Sequence, residues 1–147
     1  MAELERECFS DPWSEDSITE MYGTKILVGV EEAGTDEGIG VEPTERTVRG
    51  IVGYAVIRTV ADEAELLRIC VSKSARRNGF GRMLLSESLK TAKEDGAERV
   101  FLEVRSQNLP ARSLYEKAGF EETGVRKNYY HDPTDDAVIM MRDDMQL

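Results

Sequence analysis

The sequence contains few of the residues from which disulfide frameworks and metal centres are built. Its 147 residues include two cysteines and one histidine. Cys8 and Cys70 lie far apart, on a predicted helix and a predicted buried strand, and their spacing matches no metal site. We therefore expect two free thiols in a reducing cytoplasm, and no bound metal.

Long apolar stretches are also missing. No run approaches the roughly 20 apolar residues that a membrane-spanning helix needs. Residues 1–7 lack the basic segment and the apolar stretch of a secretory signal. The length suits one domain that buries a hydrophobic core without disulfides. We expect a single cytoplasmic domain over residues 1–147, with no membrane partner.

Positive charge is in short supply, because 19 lysines and arginines stand against 29 aspartates and glutamates, a formal net charge of −10. This balance disfavours nucleic acid as a direct partner, since binding to its phosphates needs an extended basic surface. An acidic surface attracts a cationic partner, such as an amine or a basic peptide. Solubility alone explains the charge equally well, so both interpretations stay open.

The hydrophobic pattern predicts helices and strands in a mixed order. The predicted helices span residues 2–9, 14–22, 81–95 and 109–118. The predicted strands span residues 25–30, 50–60, 64–71, 99–104, 120–126 and 137–142. Residues 31–49 are interpreted as a long loop, and residues 128–131 as part of a loop between the last two strands. This order predicts an α/β (α+β) fold, in which helices flank a mixed sheet.

The most informative segment is residues 66–82, where an apolar strand is followed by a polar loop and then by a helix. The loop ends in Arg76-Arg77-Asn78-Gly79-Phe80-Gly81. Glycines let a ligand approach the backbone, and free N–H groups at a helix start bind anions. The segment is not a Walker loop, because Arg82 replaces its lysine, nor a dinucleotide loop, because Leu84 replaces its third glycine. A strand-to-helix turn that needs two glycines is the alternative interpretation.

Two motifs carry a resemblance to a known family. Arg76-x-x-Gly79-x-Gly81 after a strand resembles the acetyl-CoA pyrophosphate loop of the GNAT N-acetyltransferases, written Q/R-x-x-G-x-G/A. Residues 102–120 resemble the signature L-E-V-R-x-x-N-x-x-A-x-x-L-Y-x-x-x-G-F of the same family. Within it, the chain is similar to the ribosomal-protein-alanine N-acetyltransferases. Three shorter motifs point the same way: Cys8-Phe9-x-x-Pro12-Trp13-Ser14, Asn128-Tyr129-Tyr130 and Asp136-Ala137-x-Ile139-Met140.

The resemblance implies a GNAT fold with splayed central parallel strands and acetyl-CoA as the co-substrate. It places the pantetheine arm along the backbone of Ile69, Cys70 and Val71. It places the pyrophosphate on the loop and helix start formed by Arg76, Arg77, Asn78, Gly79, Phe80, Gly81 and Arg82. Surface charge is the alternative interpretation of the three arginines. Asn108 matches an amide that holds the CoA arm, and it also suits the start of a helix.

The resemblance further implies Glu103 as general base and Tyr115 as general acid. Glu103 interrupts an apolar strand, so its carboxylate lies opposite the apolar face. A solvated strand face is the alternative interpretation of Glu103, and a core tyrosine that of Tyr115. The acceptor groove is expected to be lined by Trp13, Tyr129 and Tyr130. The alternative interpretation of Trp13 is a structural one, in which its side chain anchors a helix turn.

The implied activity is acetyl transfer to the N-terminal amine of a basic peptide, with the N-terminal alanine of a small-subunit ribosomal protein as the implied target. Two alternatives stay open: a GNAT acting on a small amine or on lysine, and an acyl-CoA-binding module with little or no catalysis. Two features depart from the family pattern. The loop over residues 32–49 is unusually long, and no strand precedes the first helix, so we expect either an upstream start or a missing sheet edge.

Overall fold

The computed structural model describes residues 1–14, 16–17, 23–32 and 48–145. Within them the helices are α1 (Ala2–Cys8), α2 (Phe80–Glu94) and α3 (Leu109–Lys117), with a 3₁₀ turn at Lys73–Ala75. The strands are β1 (Thr24–Glu32), β2 (Val48–Val60), β3 (Glu63–Val71), β4 (Arg99–Arg105), β5 (Glu121–Tyr130) and β6 (Asp135–Arg142). Most of the predicted helix over residues 14–22 and of the predicted loop over residues 31–49 lies outside the described residues.

In the described part of the chain, six strands form one sheet in the order β1-β2-β3-β4-β6-β5. β3 and β4 are parallel, and the other neighbouring pairs are antiparallel. The parallel pair needs a crossover connection, which α2 provides. The predicted mixed sheet with flanking helices is therefore confirmed.

One face of the sheet packs against α2 and α3. Val100, Leu102 and Val104 alternate with more exposed residues along β4 and share a buried cluster with Leu85 and Leu89 of α2. The buried residues of α2 recur at three- and four-residue spacing, so a single stripe of the helix faces the sheet. Each fully buried leucine contributes about 2 kcal/mol to stability. The opposite face carries a smaller cluster, to which α1 contributes Leu4.

A β-bulge in β3 opens the centre of the sheet. The ladder with β2 pairs Val56 with Arg68 but Ile57 with Leu66, so Leu67 is an extra residue. Such a bulge bends its strand. The parallel ladder between β3 and β4 also ends at Leu66 and Leu102. Beyond this point residues 67–71 of β3 and residues 103–105 of β4 are not paired with each other, which confirms the splayed strands. We call the space between them the interstrand gap.

The last hairpin differs from the prediction. Residues 128–130 were expected in a loop, but β5 continues to Tyr130, so that prediction was wrong. Asn128 takes a positive φ of 51°, and its N–H donates to Asp136 Oδ1 at 2.8 Å. The ladder with β6 has an irregularity between Arg126 and Tyr130, after which Tyr130 pairs with Asp135. Because this irregularity accommodates the extra residues, the strand continues.

Candidate active site

The start of α2 forms a cradle of free N–H groups. Gly79 precedes the helix with φ +82°, and no side chain caps the helix start. The first intrahelical bond runs from the Met83 N–H to the Gly79 carbonyl at 3.0 Å. The N–H groups of Phe80, Gly81 and Arg82 therefore precede the helical ladder and are available to an anion. We call residues 76–82 the anion loop.

The arginines of the anion loop differ in their surroundings. Arg76 is already engaged, because its Nε donates to the Val71 carbonyl at 3.1 Å and its Nη2 lies 3.8 Å from Cys8 Sγ. Arg77, with φ +65°, and Arg82 are exposed. Arg77 and Arg82 are thus the side chains freer to reach a phosphate, whereas Arg76 holds the loop to the end of β3.

The interstrand gap begins beside the anion loop. The Cys70 carbonyl lies against Gly53 of β2, where an added Cβ would sit 2.6 Å from it. Because N–H and C=O groups alternate sides along a strand, those of Ile69 and Val71 point toward the gap. This unpaired edge of β3 suits a ligand that forms hydrogen bonds like an extra strand. Gly81 lies close to the end of β3 and to α3. A Cβ atom added to Gly81 would lie 3.9 Å from the Val71 side chain and 3.7 Å from the Leu114 side chain.

Glu103 stands on the opposite side of the gap, on the face of β4 away from α2, as predicted. Its side chain is 24% exposed, and its Oε1 lies 3.1 Å from Arg126 Nε. The Glu103 carboxylate is the largest of the causes that raise the pKa of the nearby Tyr129. It borders a cavity of about 350 Å³. That cavity is lined by Arg58, Val60, Glu63, Ala64, Glu65, Phe101, Leu102, Glu103, Arg126 and Ile139.

Tyr115 is buried in α3, with 5% of its surface exposed. Its ring packs edge-on against Phe120, with 5.9 Å between the centroids. No described residue forms a hydrogen bond with its hydroxyl. Burial, and then the nearby Tyr130, raise the pKa of Tyr115 above its ordinary value. The phenol is therefore protonated at neutral pH and has a proton to donate.

Tyr130 is close enough to both candidate catalytic groups to interact with them electrostatically. Burial is the main cause that raises the pKa of Tyr130 to about 12, followed by the Glu103 carboxylate. Tyr130 also contributes to the raised pKa of Tyr115, so it interacts electrostatically with both sides of the gap. Its ring contacts Tyr129 edge-on at 5.1 Å and lies 4.4 Å from the Arg105 guanidinium. A second cavity of about 270 Å³ is lined by Ser10, Asp11, Arg105, Tyr129, Tyr130, His131 and Asp132.

Trp13 is fixed by contacts with α1 and with β3. Its backbone N–H donates to Glu5 Oε2 at 2.8 Å, and its ring lies 4.2 Å from the Arg68 guanidinium. Phe9 packs on the same guanidinium at 4.0 Å. The Tyr54 hydroxyl donates to the buried Glu5 carboxylate. These contacts make Trp13 an anchor for the segment after α1, and it lines neither of the two cavities above.

Asn108 forms the N-cap of α3. Its Oδ1 accepts from the Ala111 N–H at 3.3 Å, and its side-chain NH2 group donates to no residue that the structure describes. Asn108 therefore occupies the start of a helix, as one of its two interpretations expected. A contact between its side chain and the CoA arm is compatible with this position.

The sequence did not predict the roles of several residues that position the site. Arg105 holds the last hairpin, since it donates to the His131 carbonyl at 2.9 Å and to the Pro133 carbonyl at 2.7 Å. Arg68 packs between two aromatic rings. It could have been recognised from the sequence, because a charged residue stands out inside an apolar strand. Nothing in the sequence pattern pairs Arg126 with Glu103, because that contact depends on the registers of three strands.

The Asp135 carboxylate ties the last hairpin to the segment that follows β4. Asp135 Oδ1 accepts from Ser106 Oγ at 2.5 Å, and Asp135 Oδ2 accepts from the Gln107 N–H at 3.1 Å. The Ser106 hydroxyl is the main cause that holds the pKa of Asp135 below its ordinary value. Because the pKa is lower in the folded state, this contribution to stability exists above the unfolded pKa and is lost as the pH falls through the folded pKa.

Asp135→Asn is therefore expected to lower the Tm at pH 7 but not in strong acid, where the wild-type carboxyl is also protonated. Calorimetry at pH 7 and at about pH 2 measures this, since ordinary aspartates titrate near pH 4. Asp143→Asn, at an exposed position near the C-terminus, is the control and should leave the Tm unchanged. A Tm difference that persists in strong acid would contradict the role of the charge.

Among the described residues, no cluster of three or more His, Cys, Asp or Glu side chains could hold a metal ion. None of the described helices is long and apolar enough to cross a membrane. The arrangement thus offers an anion cradle, a strand edge that is not paired with β4 and a carboxylate at the interstrand gap, together with a buried neutral phenol that interacts electrostatically with Tyr130.

Comparison with known proteins places this arrangement in a family. The model of the acetyltransferase (GNAT) family matches residues 1–120. A ribosomal protein bS18-alanine N-acetyltransferase of Haemophilus influenzae is 44% identical over 93 residues, which cover 61% of this chain and 63% of that protein. The protein of the same name in Escherichia coli is 32% identical over 140 residues, which cover 93% of this chain and 84% of that protein.

Solved structures agree. The crystal structure of the ribosomal-protein-S18-alanine N-acetyltransferase from Escherichia coli matches with a TM-score of 0.75 and 30% identity, over 95% of this chain and 83% of that one. A PaiA N-acetyltransferase from Thermoplasma acidophilum, in complex with coenzyme A, matches with a TM-score of 0.52 and 29% identity, over 63% of this chain and 54% of that one. Because the family model covers most of the chain and relatives cover nearly all of it, the chain belongs to the acetyltransferase (GNAT) family.

Proposed function

We propose that the chain is an acetyl-CoA-dependent Nα-acetyltransferase that acetylates the N-terminal amine, with alanine as the first residue, of a small-subunit ribosomal protein. The observation that carries the proposal is that Tyr130 interacts electrostatically with both Glu103 and the buried Tyr115. A carboxylate on one side and a neutral phenol on the other are the two proton-transfer groups that acetyl transfer to an amine requires.

Acetyl-CoA fits the chain at two places. The uncapped N–H groups at the start of α2, with Arg77 and Arg82 beside them, suit its pyrophosphate. The backbone of Ile69 and the N–H of Val71 suit its pantetheine amides, whereas the Val71 carbonyl already accepts from Arg76. Acetyl-CoA supplies an acetyl group activated as a thioester. A backbone N–H of β3 donates to the thioester carbonyl oxygen, where negative charge develops.

Glu103 is proposed to take the proton from the acceptor amine, directly or through one water. An α-amine has a pKa near 8, so roughly a tenth of it is already neutral at pH 7. A lysine near 10.4 needs about 3 kcal/mol more help. One carboxylate therefore suits an N-terminus better than a lysine. The acceptor ammonium must also displace Arg126, which holds the carboxylate at 3.1 Å.

Tyr115 is proposed to return a proton to the departing thiolate. Its raised pKa keeps the phenol protonated until the thiolate forms. The buried ring, fixed against Phe120, limits the directions in which the hydroxyl can point.

The names of the relatives support a ribosomal protein as the acceptor, since both are called bS18-alanine N-acetyltransferases. One cavity holds Asp11 and Asp132 against Arg105. The other holds Glu63, Glu65 and Glu103 against Arg58 and Arg126, so each cavity has one more acidic than basic side chain. These charges suit a basic peptide. Such a protein acts where ribosomes are made, so we propose the cytoplasm as its compartment.

One mass-spectrometric assay tests the acceptor. The protein and acetyl-CoA are incubated with a basic peptide that begins with alanine and contains an internal lysine, and the added mass is mapped. Acetyl on the α-amine alone is the expected result, and the same peptide with a blocked N-terminus should stay unmodified. Acetyl on lysine would favour the alternative acceptor class. CoA binding without transfer to peptides or small amines would favour a non-catalytic module.

A further inference from the structure

Two cysteines that are distant in the sequence meet where α1 contacts the end of β3. Cys8 is the last residue of α1, and Cys70 is 6% exposed in β3. The Cys8 side chain packs against the buried cluster that contains Cys70. The Cys8 thiol also lies 3.6 Å from the Val71 carbonyl. Both thiols are free, and the proposed acetyl transfer uses neither sulfur.

The surroundings make Cys8 the reactive member of the pair. The neighbouring Cys70 thiol is the main cause that lowers the pKa of Cys8, and the Arg76 guanidinium, whose Nη2 lies 3.8 Å from Cys8 Sγ, adds to it. Burial and the Glu7 carboxylate oppose this shift. Cys8 is only half-buried, so small oxidants can reach it. By contrast, the neighbouring Cys8 and burial raise the pKa of Cys70, which therefore stays a thiol.

We propose that Cys8 and Cys70 are a redox-sensitive pair that hydrogen peroxide converts into a disulfide. The Cys8 thiolate attacks one peroxide oxygen, the O–O bond breaks, and the departing hydroxide takes a proton to become water. Cys8 is then a sulfenic acid. The Cys70 sulfur attacks the Cys8 sulfur, the S–O bond breaks, and the proton of Cys70 leaves with the hydroxide as a second water. Two thiols are oxidised by two electrons and the peroxide is reduced.

The pair lies against the anion loop, so its redox state is expected to act there. Glu7 of α1 accepts from the Lys73 N–H at 2.6 Å, and Arg76 Nε donates to the Val71 carbonyl. A disulfide removes the thiolate that faces Arg76 and crosslinks α1 to the strand that borders the interstrand gap. This consequence rests on the proposed function. We expect the oxidised protein to bind CoA about fivefold more weakly, the size of one lost hydrogen bond.

The test is peptide mapping of the full chain after treatment with hydrogen peroxide equimolar to the protein. We expect a linked peptide pair containing Cys8 and Cys70, a mass loss of two hydrogen atoms, and reversal by dithiothreitol. Cys70→Ser should stop at a sulfenic acid on Cys8, which dimedone traps. Cys8→Ser should leave the buried Cys70 unmodified. Wild-type protein that gains oxygen at Cys8 without a linked peptide, links only between molecules, or does not react would overturn the proposal.

Alkylation rates at pH 7 separate the role of Arg76 from simple exposure. Arg76→Gln should slow the reaction of Cys8 with iodoacetamide, whereas the neighbouring Arg77→Gln should leave it unchanged. Equal rates in both variants would contradict activation by the guanidinium. The mass readout needs no acetyl transfer, so a chain that forms the disulfide but fails the acceptor assay contradicts only the proposed function. Equal CoA affinity in the reduced and oxidised forms would refute the coupling to the anion loop.

Discussion

Tyr115→Phe is expected to lower kcat by about 10²- to 10³-fold, the range for loss of a general acid, while CoA affinity changes little. The substitution removes one oxygen and keeps the ring that packs on Phe120. No described residue forms a hydrogen bond with the hydroxyl, so its removal leaves no buried partner unsatisfied. Steady-state kinetics and calorimetric titration with CoA measure the two quantities separately.

Tyr130→Phe is the matched control for Tyr115. Tyr130 is a second partly buried phenol at the same gap, and it interacts with Glu103 as well as with Tyr115. We expect its loss to reduce kcat by less than that of Tyr115. A larger effect at Tyr130 would move the acid role there. A parallel loss of turnover and CoA affinity in Tyr115→Phe would instead indicate a purely structural tyrosine.

Glu103→Gln is expected to reduce kcat/KM by about 10²-fold or more at pH 7, the lower range for loss of a general base. The deficit should shrink as the pH rises above about 8, because the acceptor α-amine then loses its proton without help. Folding should be nearly unaffected, since the Arg126 partner is 57% exposed and such ion pairs contribute little to stability. A pH profile of kcat/KM from pH 6 to about 9.5 spans the titration of the amine.

The matched control is Glu65→Gln. Glu65 lines the same cavity as Glu103, but it is paired with Arg58 at 2.6 Å. If Glu103 acts as a base, Glu65→Gln should change kcat/KM by only a small factor and keep the wild-type pH profile. Similar losses in both variants would mean that the cavity attracts the acceptor through its total charge.

Local patterns in the sequence sufficed for most of the fold. Apolar periodicity located α2 over residues 81–95, within one residue of its observed bounds, because this signal depends on neighbours within a few residues. The alternation along β4 put Glu103 opposite the buried face. The end of β5 was misplaced, because it depends on Asp136, which accepts from the Asn128 N–H across the hairpin. Residues 120–130 alone could not predict the end of β5, because this contact is made by a residue of the partner strand.

The candidate site was predictable where it follows a motif and not where it depends on packing. The anion loop is one continuous segment, so its glycines and arginines could be recognised together. The role of Trp13 in the acceptor groove stays a prediction, whereas its contact with Arg68, which is distant in the sequence, could not be predicted from local patterns. The approach of Cys8 to Cys70 likewise needs α1 to lie across the end of β3.

The sequence by itself determined the order of the described helices and strands, the anion loop and the residue types available for acetyl transfer, because each depends on local spacing. The tertiary structure decided which of them meet. The bulge at Leu67 opens the interstrand gap, strand register brings Arg126 to Glu103, and helix packing brings Tyr115 toward Tyr130. Such contacts join residues far apart in the chain, so only the packed sheet and its helices could establish them.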